Sequence, residues 1–301
     1  MTKMSKTVVF FGSGPVAAAA LDLLQKHTAI EAVITKPSTR NEMSVASPDA
    51  TPVYTVGNRA ELSSLIASKK FVSPVAVLID FGIIVDQNVI DYFPLGIVNS
   101  HFSLLPEWRG ADPITFSILS GQEQTGVSLM LLVAKMDEGP LLAQSPLTIS
   151  PGTTTPKLTQ ELIELSDSIL AKILPLYVNG KISPVEQEQV TIAPSKIPSY
   201  SRKLLKQDGV IDFSKPAAQL EREIRAYLGW PGSRTSLAGK EVIVTRAHVV
   251  PVSGKPGDKI VTKRGLTIVT SDQGLAIDSL KPAGKPEMDI ASFLAGYGSR
   301  V

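Results

Sequence analysis

The chain has 301 residues, of which 43% are hydrophobic and 19% are charged, an ordinary globular composition with enough length for two domains of unequal size. It contains no cysteine, which excludes disulfides, thiolate nucleophiles and cysteine-based metal sites. No apolar run approaches the roughly 20 residues that span a bilayer, and a strand-like run begins at Thr7, which leaves no room for a cleavable signal, so we expect a cytoplasmic protein without a membrane partner.

The net charge of +2 is unevenly distributed along the chain. Residues 1–201 carry 14 basic and 18 acidic side chains, whereas residues 202–301 carry 16 basic and 10 acidic ones. A basic second part beside a mildly acidic first part is typical of a protein that grips a polyanion, although a solvated basic surface would give the same count. Charge alone leaves both interpretations open.

The first half of the chain alternates strand-like and helix-like runs. Strands are predicted at residues 8–11, 32–35, 75–80, 96–100 and 127–133, and helices at residues 16–25, 59–68, 87–92, 114–119 and 155–177. This alternation predicts an α/β fold built on a Rossmann-like, mostly parallel sheet.

The second half has a different pattern. Between residues 180 and 207 the chain is polar, contains three prolines and has few periodic apolar positions, which predicts a linker. A helix at 217–228 and strand-like runs at 241–250, 259–263, 266–270 and 275–280 follow, and they favour a small β-barrel or sandwich. We therefore predict a first domain over residues 1–183, a linker over 184–207 and a second domain over 208–301.

The turn after the first strand has the form of a dinucleotide-binding fingerprint. Gly12, Gly14 and Ala17 satisfy the pattern G-x-G-x-x-A between a strand and a helix. A site for NAD also needs an acidic residue about 20 positions further on, at the end of the second strand, but Thr35, Lys36 and Pro37 stand there. We therefore favour a tight strand-to-helix turn of small residues over a nucleotide site.

Three polar side chains form the main candidate site. Asn99 and His101 lie two residues apart at the end of a predicted strand, so both project to one face, and Asp137 follows the next long strand. Because neighbouring parallel strands end at the same edge of a sheet, we expect the three to converge. In an acyl or one-carbon transfer to an amine, the amide and the imidazole could stabilise an oxyanion while the carboxylate orients the imidazole or relays a proton. A buried structural histidine beside a turn aspartate is the alternative.

The residues around this candidate site carry a family resemblance. Residues 103–113 closely resemble the S-L-L-P-x-W/Y-R-G-A-x-P loop of folate-dependent formyltransferases, and the N-x-H pattern just before it is present at 99–101. Residues 125–128, 136–140 and 80–84 are similar to further segments of that family, T-G-V-T, x-D-x-G-x and A-Y-G-x-I/L. The resemblance implies a Rossmann-like folate-binding domain in which Asn99, His101 and Asp137 are catalytic.

The second domain resembles one branch of the same family. Residues 211–213, 217–226 and 230–231 resemble the opening of the C-terminal domain of formyltransferases that act on methionyl-tRNA, and residues 280–288 resemble its L-Q-P-A-G-K-K-x-M ending. In that branch the domain is an OB-like barrel that contacts tRNA. The resemblance implies formyl transfer from 10-formyltetrahydrofolate to the α-amine of methionyl-initiator tRNA for translation initiation, by an enzyme that needs no metal. Nothing in the sequence suggests an obligate dimer, so we expect a monomer.

The resemblance also implies contacts to each substrate, with two departures from the family pattern. The folate would be bound by Phe81, Gly82, Ile83, Ser103, Leu104, Leu105 and Pro106. The tRNA would be contacted by Lys36, Arg40 and Arg109. In the loop 36–52, Lys36 and Arg40 are the only basic residues where the family carries a basic, glycine-rich insertion. Glu107 and Asp112 are acidic where the family has a basic and a small residue.

Several alternatives remain. A formyltransferase acting on an amino sugar nucleotide would share the same three catalytic residue types and a similar barrel. A formyltetrahydrofolate hydrolase is less favoured, because those relatives carry an N-terminal regulatory domain and we expect none here. A non-catalytic folate- or RNA-binding protein is disfavoured by the intact set of Asn99, His101 and Asp137.

Overall fold

The computed structural model describes residues 7–37, 51–190, 192–195 and 197–298. They form two compact units, unit 1 from residues up to 113 with 124–148 and 159–202, and unit 2 from 114–123, 149–158 and 203 onward. The strands are β1 (Thr7–Gly12), β2 (Ala29–Thr35), β3 (Val53–Thr55), β4 (Ala76–Ile79), β5 (Ile97–His101), β6 (Arg109–Gly110), β7 (Gln124–Leu131), β8 (Leu141–Thr148), β9 (Tyr200–Ser201), β10 (Ser233–Leu237), β11 (Lys240–Val250), β12 (Lys259–Val261), β13 (Leu266–Val269), β14 (Gly274–Pro282) and β15 (Met288–Asp289). The helices are α1 (Gly14–Leu24), α2 (Arg59–Ser68), α3 (Gln87–Ile90), α4 (Pro113–Ser120), α5 (Thr155–Val178), α6 (Gln187–Val190), α7 (Ala217–Ala226) and α8 (Ile290–Tyr297), with a 3-10 turn at Lys206–Gly209.

Unit 1 is built on a sheet with the strand order β3-β2-β1-β4-β5-β7-β8. The strands β3, β2, β1, β4 and β5 are parallel, which confirms the predicted mostly parallel α/β fold. The central strands β4 and β5 are buried along their whole length, as strands with neighbours on both sides and helices over both faces are.

One premise of the sequence prediction was wrong. Strand β7 runs antiparallel to β5, with Asn99 opposite Met130 and His101 opposite Ser128. Asp137 therefore reaches the site by another route than the predicted meeting of two parallel strand ends. The loop between β7 and β8 brings it back, and Gly139 in that loop is packed so closely on the Leu131 carbonyl that a Cβ would collide with it.

Aromatic side chains fill the core of unit 1 beneath the loop that follows β4. Phe11 packs edge-to-face on Phe81, with ring centroids 5.5 Å apart, and on Phe93 at 6.0 Å. Phe81 is only 2% exposed. This packing anchors the start of the segment 81–83 that was predicted to contact folate.

Unit 2 contains an antiparallel sheet of the order β10-β11-β14-β13-β12, with β15 paired to β14. Leu220 and Ile224 on α7 and Phe293 on α8 are buried in one core cluster with residues from the strands. The curled antiparallel sheet with its packed helices confirms the predicted OB-like domain. No helix that the structure describes has the length and hydropathy of a membrane span.

The segment predicted as a linker is fastened to unit 1 over most of its length. We call residues 185–201 the strap. Val185 exchanges two backbone hydrogen bonds with Leu141, of 2.7 and 2.9 Å, and β9 pairs with β6 in parallel. These contacts are hydrogen bonds, which leave no hydrophobic periodicity in the sequence.

Candidate active site

The structure brings Asn99, His101 and Asp137 together in unit 1. Asn99 and His101 lie on β5, where they are 7% and 6% exposed, and Asp137 is 9% exposed. No described residue hydrogen-bonds the side-chain amide of Asn99. The amide therefore keeps an N–H donor and a carbonyl acceptor for a ligand.

The tautomer of His101 follows from its contact with the loop beyond the strand. The Nε2 atom lies 3.0 Å from the carbonyl oxygen of Trp108. Because a carbonyl oxygen accepts and never donates, Nε2 carries the hydrogen in this contact. The Nδ1 atom then faces Asp137 Oδ2 at 3.8 Å, a separation too long for a hydrogen bond but short enough for an ion pair when Nδ1 is protonated.

Asp137 is held by contacts on both its side chain and its backbone. Its Oδ2 atom accepts a hydrogen bond of 2.7 Å from the backbone N–H of Gly110. Its carbonyl accepts a bond of 2.8 Å from Gln187 Nε2, and the same nitrogen donates to the carbonyl of Gly139 at 2.9 Å. Asp137 adopts a φ of 53°, a left-handed conformation that an aspartate tolerates but that its surroundings must hold.

The loop from Trp108 to Gly110 supplies backbone groups to both catalytic candidates. Trp108 has a φ of 55°, and its N–H donates to Ser199 Oγ at 2.9 Å. Gly110 has a φ of 115° and lies so close to the carbonyl of Ser201 that a Cβ would collide with it. The family loop therefore needs glycine at this position, because both the backbone angle and the strap exclude a side chain.

The predicted folate segment 103–106 is buried and is fixed in place by hydrogen bonds. Ser103, Leu104 and Leu105 are at most 1% exposed. The hydroxyl of Ser128 accepts from the N–H of Leu105 and donates to the carbonyl of Ser103, and Gln144 Nε2 donates to the carbonyl of Leu105 at 2.8 Å. These bonds occupy most of the polar atoms of the segment, and Ser103, Leu104 and Leu105 keep almost no surface for direct contact with a ligand.

The other predicted folate segment lies after β4 and has a different character. Gly82 is exposed with a φ of 68°, and Lys36 Nζ lies 3.7 Å from the position that a Cβ on Gly82 would take. Next to it, desolvation, followed by the like charge of Asp112 and opposed by Lys36, raises the pKa of Asp80 to about 6. Lys36, predicted to contact tRNA, is thus placed beside the predicted folate segment.

The glycine-rich turn at residues 12–14 is joined to this segment. The N–H of Ser13 donates to the carbonyl of Asp80 at 2.9 Å, and its hydroxyl donates to the carbonyl of Phe81 at 2.7 Å. A Cβ on Gly12 would meet Ala17 and the carbonyl of Ile79 at 2.7 and 2.9 Å. The fingerprint residues therefore serve a tight strand-to-helix turn, as favoured from the sequence.

Two charged residues of the family loop have contacts that the sequence did not reveal. The Arg109 side chain is 9% exposed, with Nη2 bonded to Gln187 Oε1 at 2.7 Å and Nη1 3.4 Å from Glu138, so its position gives no support to the predicted tRNA contact. Glu107 is 8% exposed and accepts a bond of 2.8 Å from the N–H of Ser195, and burial raises its pKa. Arg40 lies outside the described residues.

Sequence reasoning missed the groups that position the site. Gln187 and Ser199 stand in a polar, proline-containing segment with no motif, and the Trp108 carbonyl and Gly110 N–H are backbone groups. The site also contains no metal cluster among the residues that the structure describes, since no group of three or more His, Asp or Glu side chains meets there.

Comparison with known proteins gives two family matches. Residues 5–174 match the family described as formyl transferase, and residues 203–298 match the formyl transferase C-terminal domain. A methionyl-tRNA formyltransferase of Roseiflexus castenholzii is 33% identical over 97% of this chain and 96% of its own length. One of Myxococcus xanthus is 36% identical over 76% of this chain and 72% of its own length.

Solved structures share the fold at lower identity. HypX from Aquifex aeolicus, in complex with tetrahydrofolic acid, matches 97% of this chain with a TM-score of 0.66 and 15% identity, while this chain spans 48% of HypX. WlaRD, a sugar 3N-formyl transferase solved with dTDP and 5-N-formyl-THF, matches 94% of this chain and all of its own with a TM-score of 0.67 and 17% identity. At these identities the likeness concerns the fold.

Proposed function

The chain belongs to the formyl transferase family, and on that premise we propose that it transfers the formyl group of 10-formyltetrahydrofolate to the α-amine of methionyl-initiator tRNA for translation initiation. The observation that carries this proposal is 33% identity to a methionyl-tRNA formyltransferase over 97% of the chain, which includes both domains. If only the catalytic domain matched, the similarity would not indicate which substrate accepts the formyl group.

Asn99 is proposed to stabilise the oxygen that becomes negative when the amine attacks the formyl carbon. Its amide is buried, and none of the described residues occupies it. A donor aimed at a developing oxyanion contributes about 10²–10³ in rate in other acyl-transfer enzymes.

His101 is proposed to take the proton of the attacking amine at Nδ1. The Trp108 carbonyl holds the hydrogen on Nε2, which leaves the Nδ1 lone pair free to accept a proton. This assignment shifts the oxyanion contact predicted for His101 onto Asn99. Asp137 Oδ2, at 3.8 Å from Nδ1, then stabilises the imidazolium that forms. As the bond between the formyl carbon and N10 of the folate breaks, Nδ1 gives this proton to N10, so that tetrahydrofolate leaves with a neutral N10 and the α-amine keeps the formyl group.

The two substrates are proposed to contact different units. 10-Formyltetrahydrofolate supplies the formyl group when it is bound, and we propose that it lies beside the exposed backbone of Gly82, with Lys36 near its charged part and the buried segment 103–106 as rigid support for the site. The tRNA is proposed to be attracted by the basic side chains of residues 202–301. The monomeric state and the cytoplasmic location remain predictions.

The test measures transfer of labelled formyl from 10-formyltetrahydrofolate to charged initiator tRNA and, separately, to a dTDP-linked amino sugar. We expect label on methionyl-tRNA that is absent when the α-amine has been acetylated beforehand. Label on the amino sugar with none on the tRNA would move the chain to the sugar branch. No transfer to either acceptor would remove the catalytic assignment.

A further inference from the structure

Gln187 is buried at the point where the strap crosses two loops of the active site. It is 2% exposed, and its amide uses both of its ends. The Nε2 atom donates to the carbonyls of Asp137 and Gly139 at 2.8 and 2.9 Å, and the Oε1 atom accepts from Arg109 Nη2 at 2.7 Å.

These three bonds join the loop of Asp137 to the segment of Arg109 and Gly110. The distance between these two segments determines the geometry of the site. One segment ends in the Asp137 carboxylate, and the other carries the Gly110 N–H that this carboxylate accepts at 2.7 Å. Asp137 also needs outside support for its φ of 53°. A group that grips the Asp137 carbonyl on one side and Arg109 on the other fixes the carboxylate against His101.

We propose that Gln187 is a positioning residue for formyl transfer, acting through Asp137 rather than on a substrate. The kinetic part of this proposal rests on the proposed function. The strap itself does not depend on Gln187, because Val185 is paired with Leu141, Ser195 with Glu107, and Ser199 with the loop at 106–109. Loss of the Gln187 side chain should therefore loosen the Asp137 loop while the strap remains attached.

The first test is Gln187→Leu, with Gln189→Leu as the matched control. Gln189 lies on the same short helix and is exposed, so the control makes the same chemical change away from the site. We expect Gln187→Leu to lower kcat about 10- to 100-fold, with KM for the folate and for methionyl-tRNA changed less than about 3-fold, since misplacing a catalytic group by about 1 Å costs about that much. A kcat equal to that of Gln189→Leu would overturn the proposal.

A second variant distinguishes the effect of the Oε1 acceptor of Gln187 from the effect of its Nε2 donor. Gln187→Glu keeps an acceptor for Arg109 but removes the donor to the carbonyls of Asp137 and Gly139. We expect its kcat to fall as in Gln187→Leu. Wild-type turnover in this variant would show that the bond to Arg109 carries the effect and that Asp137 is not positioned in this way.

A double-mutant cycle with Asp137→Asn identifies the route of the effect. If Gln187 acts through Asp137, Gln187→Leu should change kcat by less than about 3-fold in the Asp137→Asn background, because residues of one network couple. If the double variant loses kcat by the full product of the two single losses, the proposal is contradicted. That result is expected if Gln187→Leu destabilises the protein in general.

Amide hydrogen exchange tests the same idea without reference to the reaction. Gly110 N–H is protected by Asp137 Oδ2, so its exchange should be faster in Gln187→Leu than in the wild type and the Gln189→Leu control. If the wild-type protein transfers no formyl group, the proposed function fails while this measurement still stands. Unchanged exchange at Gly110 would overturn the positioning proposal even in an active enzyme.

Discussion

The charged side chains near the site in unit 1 differ from those of one hairpin in unit 2. In unit 1 the charges near the site are buried and bonded, with Glu107, Arg109 and Asp137 all below 10% exposure. In unit 2 the hairpin formed by β12 and β13 presents Lys259, Lys263 and Arg264 to solvent. A buried polar group is costly unless its partners stay in place, so it fixes geometry, whereas an exposed charge attracts a polyanion with little fixed geometry.

This difference predicts which measurement responds to a substitution in each unit. Changes among the buried groups of unit 1 should alter kcat, because they move or remove groups at the reacting atoms. Changes among the exposed cations of unit 2 should alter the affinity for tRNA and its salt dependence. The following predictions test this division.

The largest effect is expected for His101→Ala. Removing the proposed proton acceptor should lower kcat by about 10²–10⁴ with little change in tRNA affinity. His248→Ala is the control, since that side chain is 58% exposed in unit 2 and paired with Asp278. Single-turnover formyl transfer with saturating substrates measures the step directly. Near-normal turnover of His101→Ala would mean that another group accepts the proton.

The sequence placed Asn99 and His101 on one face of the site because the information is local. Asn99 and His101 are placed by the alternation of one strand, and the family loop follows them within a few residues. The strands β1 and β4 were found because they are nearly continuous apolar runs. Asp137 was placed correctly for a wrong reason, since β7 is antiparallel to β5 and a loop returns the carboxylate to the site.

The groups that hold the site were not predictable in this way. Gln187 is joined to Asp137 across 50 positions and to Arg109 across 78, and no periodicity marks a side chain whose partners are distant backbone carbonyls. The edge strand β8 was missed because Gln144, Ser145 and Pro146 interrupt its apolar residues. From the sequence, Glu107 was only a departure from a basic family position, whereas the structure shows that it accepts a bond from the N–H of Ser195 and is buried.

An intermediate effect is expected from the basic hairpin of unit 2. Replacing Lys263 and Arg264 with glutamine should weaken binding of methionyl-tRNA about 10-fold at low salt and leave kcat unchanged. Each phosphate contact that is lost should lower the slope of log affinity against log salt by about 0.7–0.9. The control replaces Lys69 and Lys70, an exposed pair in unit 1, in the same way. Equal losses in both pairs would show that net charge, rather than unit 2, attracts the tRNA.

The smallest effect is expected for Asp80→Asn. This variant tests whether the neighbouring charges of Asp80 and Asp112 lower the stability of the folded protein. Desolvation and the neighbouring Asp112 raise the pKa of Asp80 to about 6 from 3.8, so folding favours the protonated carboxyl. Wild-type stability should therefore fall as the pH rises from about 4 through 6, whereas the amide variant lacks this fall. Because solvent partly screens the charge, we expect a gain of about 1 kcal/mol in the free energy of unfolding at pH 8 and almost none at pH 4. Urea unfolding at both pH values measures it, with Asp22→Asn on α1 as the control for removing an exposed carboxylate. A gain of equal size at both pH values would show that the carboxyl is not destabilised by ionisation in the folded protein.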